Sequence, residues 1–201
     1  MPEPWNAFFA DLDSVLPEEV HLHCLGGFVI SVCYGMERPT DDVDFTSLHP
    51  NDQNERVLSL AGEGSPLRRK HKVYLQRVTV ANLPEGYEDR LIEMFPGTYR
   101  NVHLFALDPY GLALTKIDRN IQRDRDDVKH LVKAVPLDRQ ILQDRFEREL
   151  RPIFVGDVRR AELDHEALAR GFLLRSRLSI KREAFLLKSP DALGVTRWRA
   201  S

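Results

Sequence analysis

The chain has 201 residues, of which 42% are hydrophobic and 30% charged, with a formal net charge of -2; that is enough for one core of ordinary size plus a helical extension. The balance of charge gives no global pull toward nucleic acid or membrane, and no apolar run approaches the roughly 18 residues of a spanning helix. Cys24 and Cys33 sit in apolar surroundings without a C-x-x-C spacing, and the N-terminal stretch carries Glu3 and Asp11 in place of a positive segment, so the expectation is a reduced, cytoplasmic protein.

In chain order, Trp5, Phe8, Phe9, Leu12 and Leu16 recur at helical spacing between Pro4 and Pro17, which predicts an amphipathic first helix. Val20 to Leu25 alternates as a strand and ends at Gly26-Gly27. The run Phe28 to Tyr34 is apolar throughout, and a helix is favoured there because a strand-glycine-helix arrangement presents free backbone N–H groups to an anion. Arg38-Pro39-Thr40-Asp41 reads as a turn. A second strand follows, and its alternation puts Asp42 and Asp44 on one face, opposite Val43 and Phe45.

Two ionised carboxylates on one strand face repel unless a cation lies before them. A hard divalent ion, Mg²⁺ or Mn²⁺, answers this and keeps positions for water and substrate phosphates. The bland alternative is a solvated, acidic strand edge; the glycine pair and the strand-helix-strand context favour the metal. His21 and His23 also share a strand face, but no third ligand stands at suitable spacing, so core or hydrogen-bonding roles are expected for them.

Asp52 to Leu60 predicts a short helix broken at Gly62 to Pro66, and Arg68 to Lys72 is a basic run expected on a solvated surface. Val73 to Leu83 reads as a bent strand or hairpin, Pro84 to Phe95 as a helix with an acidic first turn, and Val102 to Leu107 as a strand. Asp108-Pro109 supplies an N-cap and an N1 proline for a helix running through Lys116 to Asn120. Asp124 falls on the apolar stripe of the next helix, so its carboxylate points inward and needs a partner, for which Lys116 is the candidate. Helices are expected over Leu137 to Leu150 and Glu162 to Leu178. The tail from Arg175 is basic, which suits either RNA phosphates or a poorly ordered end.

Gly26-Gly27, the apolar helix, Arg38-Pro39-Thr40 and Asp42-Val43-Asp44 resemble the G-G/S then D-x-D signature of the nucleotidyltransferase superfamily that includes DNA polymerase β, with fourteen residues between Gly27 and Asp42. The segment from Leu112 to Val128 is similar to the lysine and R-D-x-x-D blocks of AbiEii-like nucleotidyltransferase toxins. The resemblance implies an α/β (α+β) fold, a small mixed sheet flanked by helices, over residues 1–135, with a helical region over 136–201. It further implies that Asp42 and Asp44 bind the metal, that Gly26, Gly27, Arg38 and Thr40 hold the nucleotide, that Lys116 contacts its phosphates, and that Asp124 and Asp127 organise the back of the site. The implied reaction moves NMP from an NTP to a tRNA end or a protein hydroxyl, in a toxin that an antitoxin would restrain. Such enzymes generally draw a third carboxylate from a neighbouring strand. No acid lies between His71 and Leu83, Asn82 being nearest the equivalent place, and this favours the competing reading of a non-catalytic, nucleotide-binding or protein-interaction subunit.

Overall fold

The computed structural model describes residues 1–38, 40–79, 82–116, 121–154 and 196–197. In chain order the elements are α1 (Trp5–Val15), β1 (Val20–Leu25), α2 (Gly26–Tyr34), β2 (Asp42–His49), α3 (Asn54–Ala61), α4 (Pro66–His71), β3 (Tyr74–Arg77), β4 (Ile92–Met94), β5 (Val102–Ala106), α5 (Pro109–Leu114), α6 (Gln122–Ala134), α7 (Arg139–Arg145) and β6 (Thr196–Arg197). The fold is thus mixed α/β, of the α+β kind, and among the described residues no helix is long and apolar enough to cross a membrane.

The chain forms two compact units. The first comprises Met1–Ala81, Glu88–Leu107 and Gly194–Ser201 and holds the sheet, in strand order β3-β2-β1-β5-β4-β6. β1 runs antiparallel to β2 and parallel to β5, β2 runs parallel to β3, and β4 runs antiparallel to both β5 and β6. One sheet face carries Val20, Leu22, Cys24, Val43, Phe45 and Leu48, all fully or nearly fully buried. The aromatic side of α1 belongs to the same core: Trp5 packs edge-on to Phe28 of α2 with ring centroids 4.9 Å apart, and Phe8 and Phe9 meet at 5.2 Å. Asp13 near the end of α1 accepts from the backbone N–H groups of Asn101 (2.5 Å) and Val102 (2.9 Å), and Val20 N donates to Asn101 O at 2.7 Å. These bonds fix where β1 and β5 begin together.

The second unit, Asn82–Tyr87 and Asp108–Leu193, has its own core of Ala113, Leu114, Val128, Leu137, Leu142, Phe146 and Leu150. Asp108 caps α5 by accepting from Gly111 N, with Pro109 in the first turn, as its sequence predicts. Arg145 closes the α5 start from α7, pairing with Asp108 at 2.7 Å while its guanidinium lies 4.7 Å from the Tyr110 ring centroid. The expected helix over Leu137 to Leu150 is α7, begun by the Asp138 cap and continued by a π turn over Phe146–Leu150. The helix expected to run through Lys116 to Asn120 ends at Leu114 instead, with Thr115 as its C-cap and Lys116 in the turn that follows; positions 117–120, the Glu162 to Leu178 helix and nearly all of the basic tail lie outside the described residues.

Three other expected elements differ. Pro84 to Phe95 is a 3-10 turn at Tyr87–Arg90 followed by β4, because Leu91 and Met94 are buried on the sheet and the pairing with β5 outweighs a local helical spacing. The basic run Arg68 to Lys72 forms most of α4, begun by Ser65, which accepts from Arg68 N at 3.1 Å, with Pro66 at N1. It is not merely a solvated surface, since Lys70 and His71 bind Asp11 of α1. The strand expected across Val73 to Leu83 is confined to β3 within the described residues.

Candidate active site

β2 presents Asp42 and Asp44 half-buried on one face, while Val43 and Phe45 between and after them are fully buried on the other. The alternation read from the sequence is therefore the observed one. Thr46 is an extra residue on β2, since His23 pairs with Ser47 and Cys24 with Phe45; this bulge re-phases the strand so that Leu48 returns to the core.

Asp44 lies in register with Leu25, the last residue of β1, and the chain turns there into α2. Gly26 makes the turn with φ +77°, and a Cβ on it would fall inside van der Waals contact with Asp44 Oδ2. The glycine is needed twice over, for its backbone angle and for the close approach of a carboxylate. Gly26 and Gly27 form the first turn of the nine-residue α2, whose leading N–H groups lack partners inside the helix.

The loop before β2 supports the same carboxylates. Thr40 Oγ1 donates to Asp42 Oδ1, so this hydroxyl, expected to bind nucleotide, is seen orienting an acid. Arg38 is half-buried, and its carbonyl accepts from Ser31 Oγ of α2 at 3.3 Å, which ties the loop to the helix. Pro39 lies outside the described residues. On the other side of β2, Tyr74 of β3 is in register with Asp42 and Gln76 with Asp44. Burial and, after it, the negative field of Asp42 push the Tyr74 phenol above its ordinary range. β3 reads Tyr74-Leu75-Gln76-Arg77, so the position beside Asp44 holds a neutral, exposed amide where a third acid was sought, and Asn82 falls five residues beyond the strand. Nothing local in the sequence marks Gln76, because the signal is the pairing of β2 with β3. Cys24 is buried, and burial drives its thiol up, so it is inert.

A second group of charges belongs to the other unit. Lys116 follows α5, and its Nζ lies 3.0 Å from Asp127 Oδ2 and 3.5 Å from Asp124 Oδ1. All three side chains are buried, at 7%, 1% and 0% exposure for Lys116, Asp124 and Asp127. The two acids are three residues apart on α6 and share the stripe of Val128 and Leu131. The partner expected for the inward Asp124 is found, and Asp127, given only a supporting place from the sequence, makes the shorter pair.

A family model described as a nucleotidyltransferase of unknown function (DUF6036) matches residues 7–163, a stretch that contains both groups. No curated protein and no solved structure matches the chain.

Proposed function

The chain belongs to the nucleotidyltransferase family of unknown function DUF6036, and from that premise we propose that it transfers NMP from an NTP to a hydroxyl of a tRNA end or a protein, with Asp42 and Asp44 as the metal ligands. The observation that supports this reading is the contact of Gly26 with Asp44: it brings the Asp44 carboxylate, with Asp42 two residues away on the same strand face, against the N-terminal turn of α2, whose leading N–H groups suit phosphates. The donor set, two half-buried carboxylates on one strand face, fits a hard divalent cation. Bound there, Mg²⁺ or Mn²⁺ would neutralise charge on the phosphates and orient the leaving group.

In the proposed reaction the acceptor oxygen attacks the α-phosphorus. The bond from that phosphorus to the bridging oxygen breaks, pyrophosphate leaves, and the hydroxyl proton passes to solvent. Thr40 holds Asp42 in place, the Gly26-Gly27 backbone admits the phosphates, and Arg38 supplies a cation toward them. A cytoplasmic toxin restrained by an antitoxin is the biological setting that the same reading proposes.

Labelled NTPs incubated with Mg²⁺, total tRNA and protein extract test it. Asp42→Asn with Asp44→Asn should lower transfer by roughly a hundredfold or more while leaving the fold intact. Equal labelling by wild type and variant defeats the proposal. The neutral Gln76 beside Asp44 favours one second reading, a nucleotide-binding subunit without turnover. It requires that Mg²⁺ with NTP raise the thermal midpoint in the absence of any labelled product.

A further inference from the structure

The sheet face that carries Asp42 and Asp44 also carries a row of histidines toward the start of β1. Residues in register share a face, and His21 is in register with His49 of β2 on one side and His103 of β5 on the other. Parallel pairing brings the His21 and His103 rings to 5.0 Å between centroids. Glu19, just before β1, reaches the same point: one ligand atom from each of Glu19, His21 and His103 lies within 4.8 Å of the other two.

Two further observations single out His103. Among the described residues its Nε2 is buried without a hydrogen-bond partner, and the Glu19 carboxylate lies 3.9 Å from it. Its Nδ1 faces Glu93 Oε1 of β4 at 3.7 Å. A histidine with one nitrogen toward a carboxylate and the other toward a gap among donors has the arrangement that orients metal-bound imidazoles. A buried ring nitrogen left unpaired is costly, and a metal bond satisfies it. Two imidazoles and one carboxylate select a borderline ion of the Zn²⁺ class over Mg²⁺.

We propose that Glu19, His21 and His103 form a Zn²⁺-class metal site, with Glu93 orienting His103, separate from the Asp42 and Asp44 pair. Zinc bonds of about 2.0–2.2 Å hold neighbouring donors about 3.4 Å apart, so donors that now lie within 4.8 Å of one another must close in by up to about 1.4 Å, with the exposed Glu19 and the two imidazoles sharing the movement. His21 also lines a cavity of about 300 Å³ with His23, His49, Glu88, Leu91 and Phe105, which has room for a water as fourth ligand. The ion would clamp β1 to β5 at the end of the sheet away from Gly26. Glu19 stands two residues before His21 in the sequence, but the set is complete only once β1 and β5 pair and bring His103 beside them.

The full chain, stripped with a chelator, is titrated with ZnCl₂ by calorimetry, and Co²⁺ is added separately to read tetrahedral coordination from its visible spectrum. The expected result is saturation near one equivalent, with a midpoint raised by roughly 5–10 °C at a hundredfold excess over Kd and no such effect from Mg²⁺. His21→Gln and His103→Gln should abolish that binding, Glu19→Gln should weaken it about tenfold or more, and Glu93→Gln about 10–100-fold. Circular dichroism of each metal-free variant checks folding. Because Glu19 is exposed, Glu19→Gln keeps the test decisive should a histidine variant misfold. Asp42→Asn with Asp44→Asn should bind Zn²⁺ as wild type does. The proposal is overturned by absence of saturable Zn²⁺ binding, by binding that Glu19→Gln and the folded histidine variants leave unchanged, or by binding lost in the Asp42 and Asp44 variant.

Discussion

Gly26 shows how much a single position without a side chain can decide. Its φ of +77° costs any other residue about 1–3 kcal/mol, and a Cβ there would in addition push Asp44 away from the turn. Gly35, the C-cap of α2, has nearly the same backbone angle, φ +68°, with open space where its Cβ would stand. The pair separates backbone strain from carboxylate displacement. Gly35→Ala should lower stability by about 1 kcal/mol in urea denaturation. Gly26→Ala should cost more and should also lose stabilisation by Mg²⁺ with NTP, which Gly35→Ala keeps. If the two variants behave alike in both measurements, the contact between Gly26 and Asp44 has no functional weight.

At the scale of elements, α4 illustrates what a basic run becomes once it is folded. Its last turn holds Arg68, Arg69, Lys70 and His71, cations where the helix dipole favours them. Lys70 Nζ and His71 Nε2 both approach Asp11 Oδ2 of α1 at 2.6 Å, while Arg68 lies over the Tyr74 ring at 4.9 Å. The hydrogen bond from Lys70, then that from His71, holds the Asp11 carboxyl below its ordinary value of 3.8. A carboxyl depressed by folding stabilises above its unfolded pKa, and that stability is lost as pH falls through the folded value. Asp11→Asn should therefore cost about 1 kcal/mol at neutral pH, and thermal midpoints of wild type and variant should converge as the medium is acidified below 3.8. A gap that persists in acid would assign the effect to packing. Elements with a strong local period, α1, β1, α2 and the start of β2, were legible in the sequence, as was the shared face of Asp42 and Asp44. β4 was not, because Leu91 and Met94 take their positions from β5, and neither was the Thr46 bulge, which shows locally only as a three-residue step from Phe45 to Leu48. The same limit applies to the sites: Asp42 and Asp44 are neighbours in sequence, whereas Gln76 reaches Asp44, and His103 reaches His21, only through strand pairing.

Across the whole molecule, 29 basic and 31 acidic residues nearly cancel, and charges of this kind are ordinarily left in water. Among the described residues, Lys116, Asp124 and Asp127 are the buried Lys, Arg, Asp or Glu side chains. A domain of this size is stable by only about 5–15 kcal/mol, so the balance inside this cluster matters to the entire fold. Removing the cation takes the ammonium away from two buried carboxylates, and Lys116→Met should cost about 3–5 kcal/mol in urea denaturation. Adding Asp127→Asn removes one of those two buried charges, and the double variant should recover part of that loss, with a coupling of about 0.5–3 kcal/mol. A Lys116→Met effect within about 0.5 kcal/mol, the range of an ordinary surface change, would refute the pairing as a source of stability. The same double variant also separates the two roles given to Lys116. If the ammonium serves only to neutralise Asp124 and Asp127, restoring stability restores whatever nucleotide transfer wild type shows. If it also meets phosphate, the double variant folds and still fails to transfer, because the amide introduced by Asp127→Asn can relieve a carboxylate but cannot replace a cation.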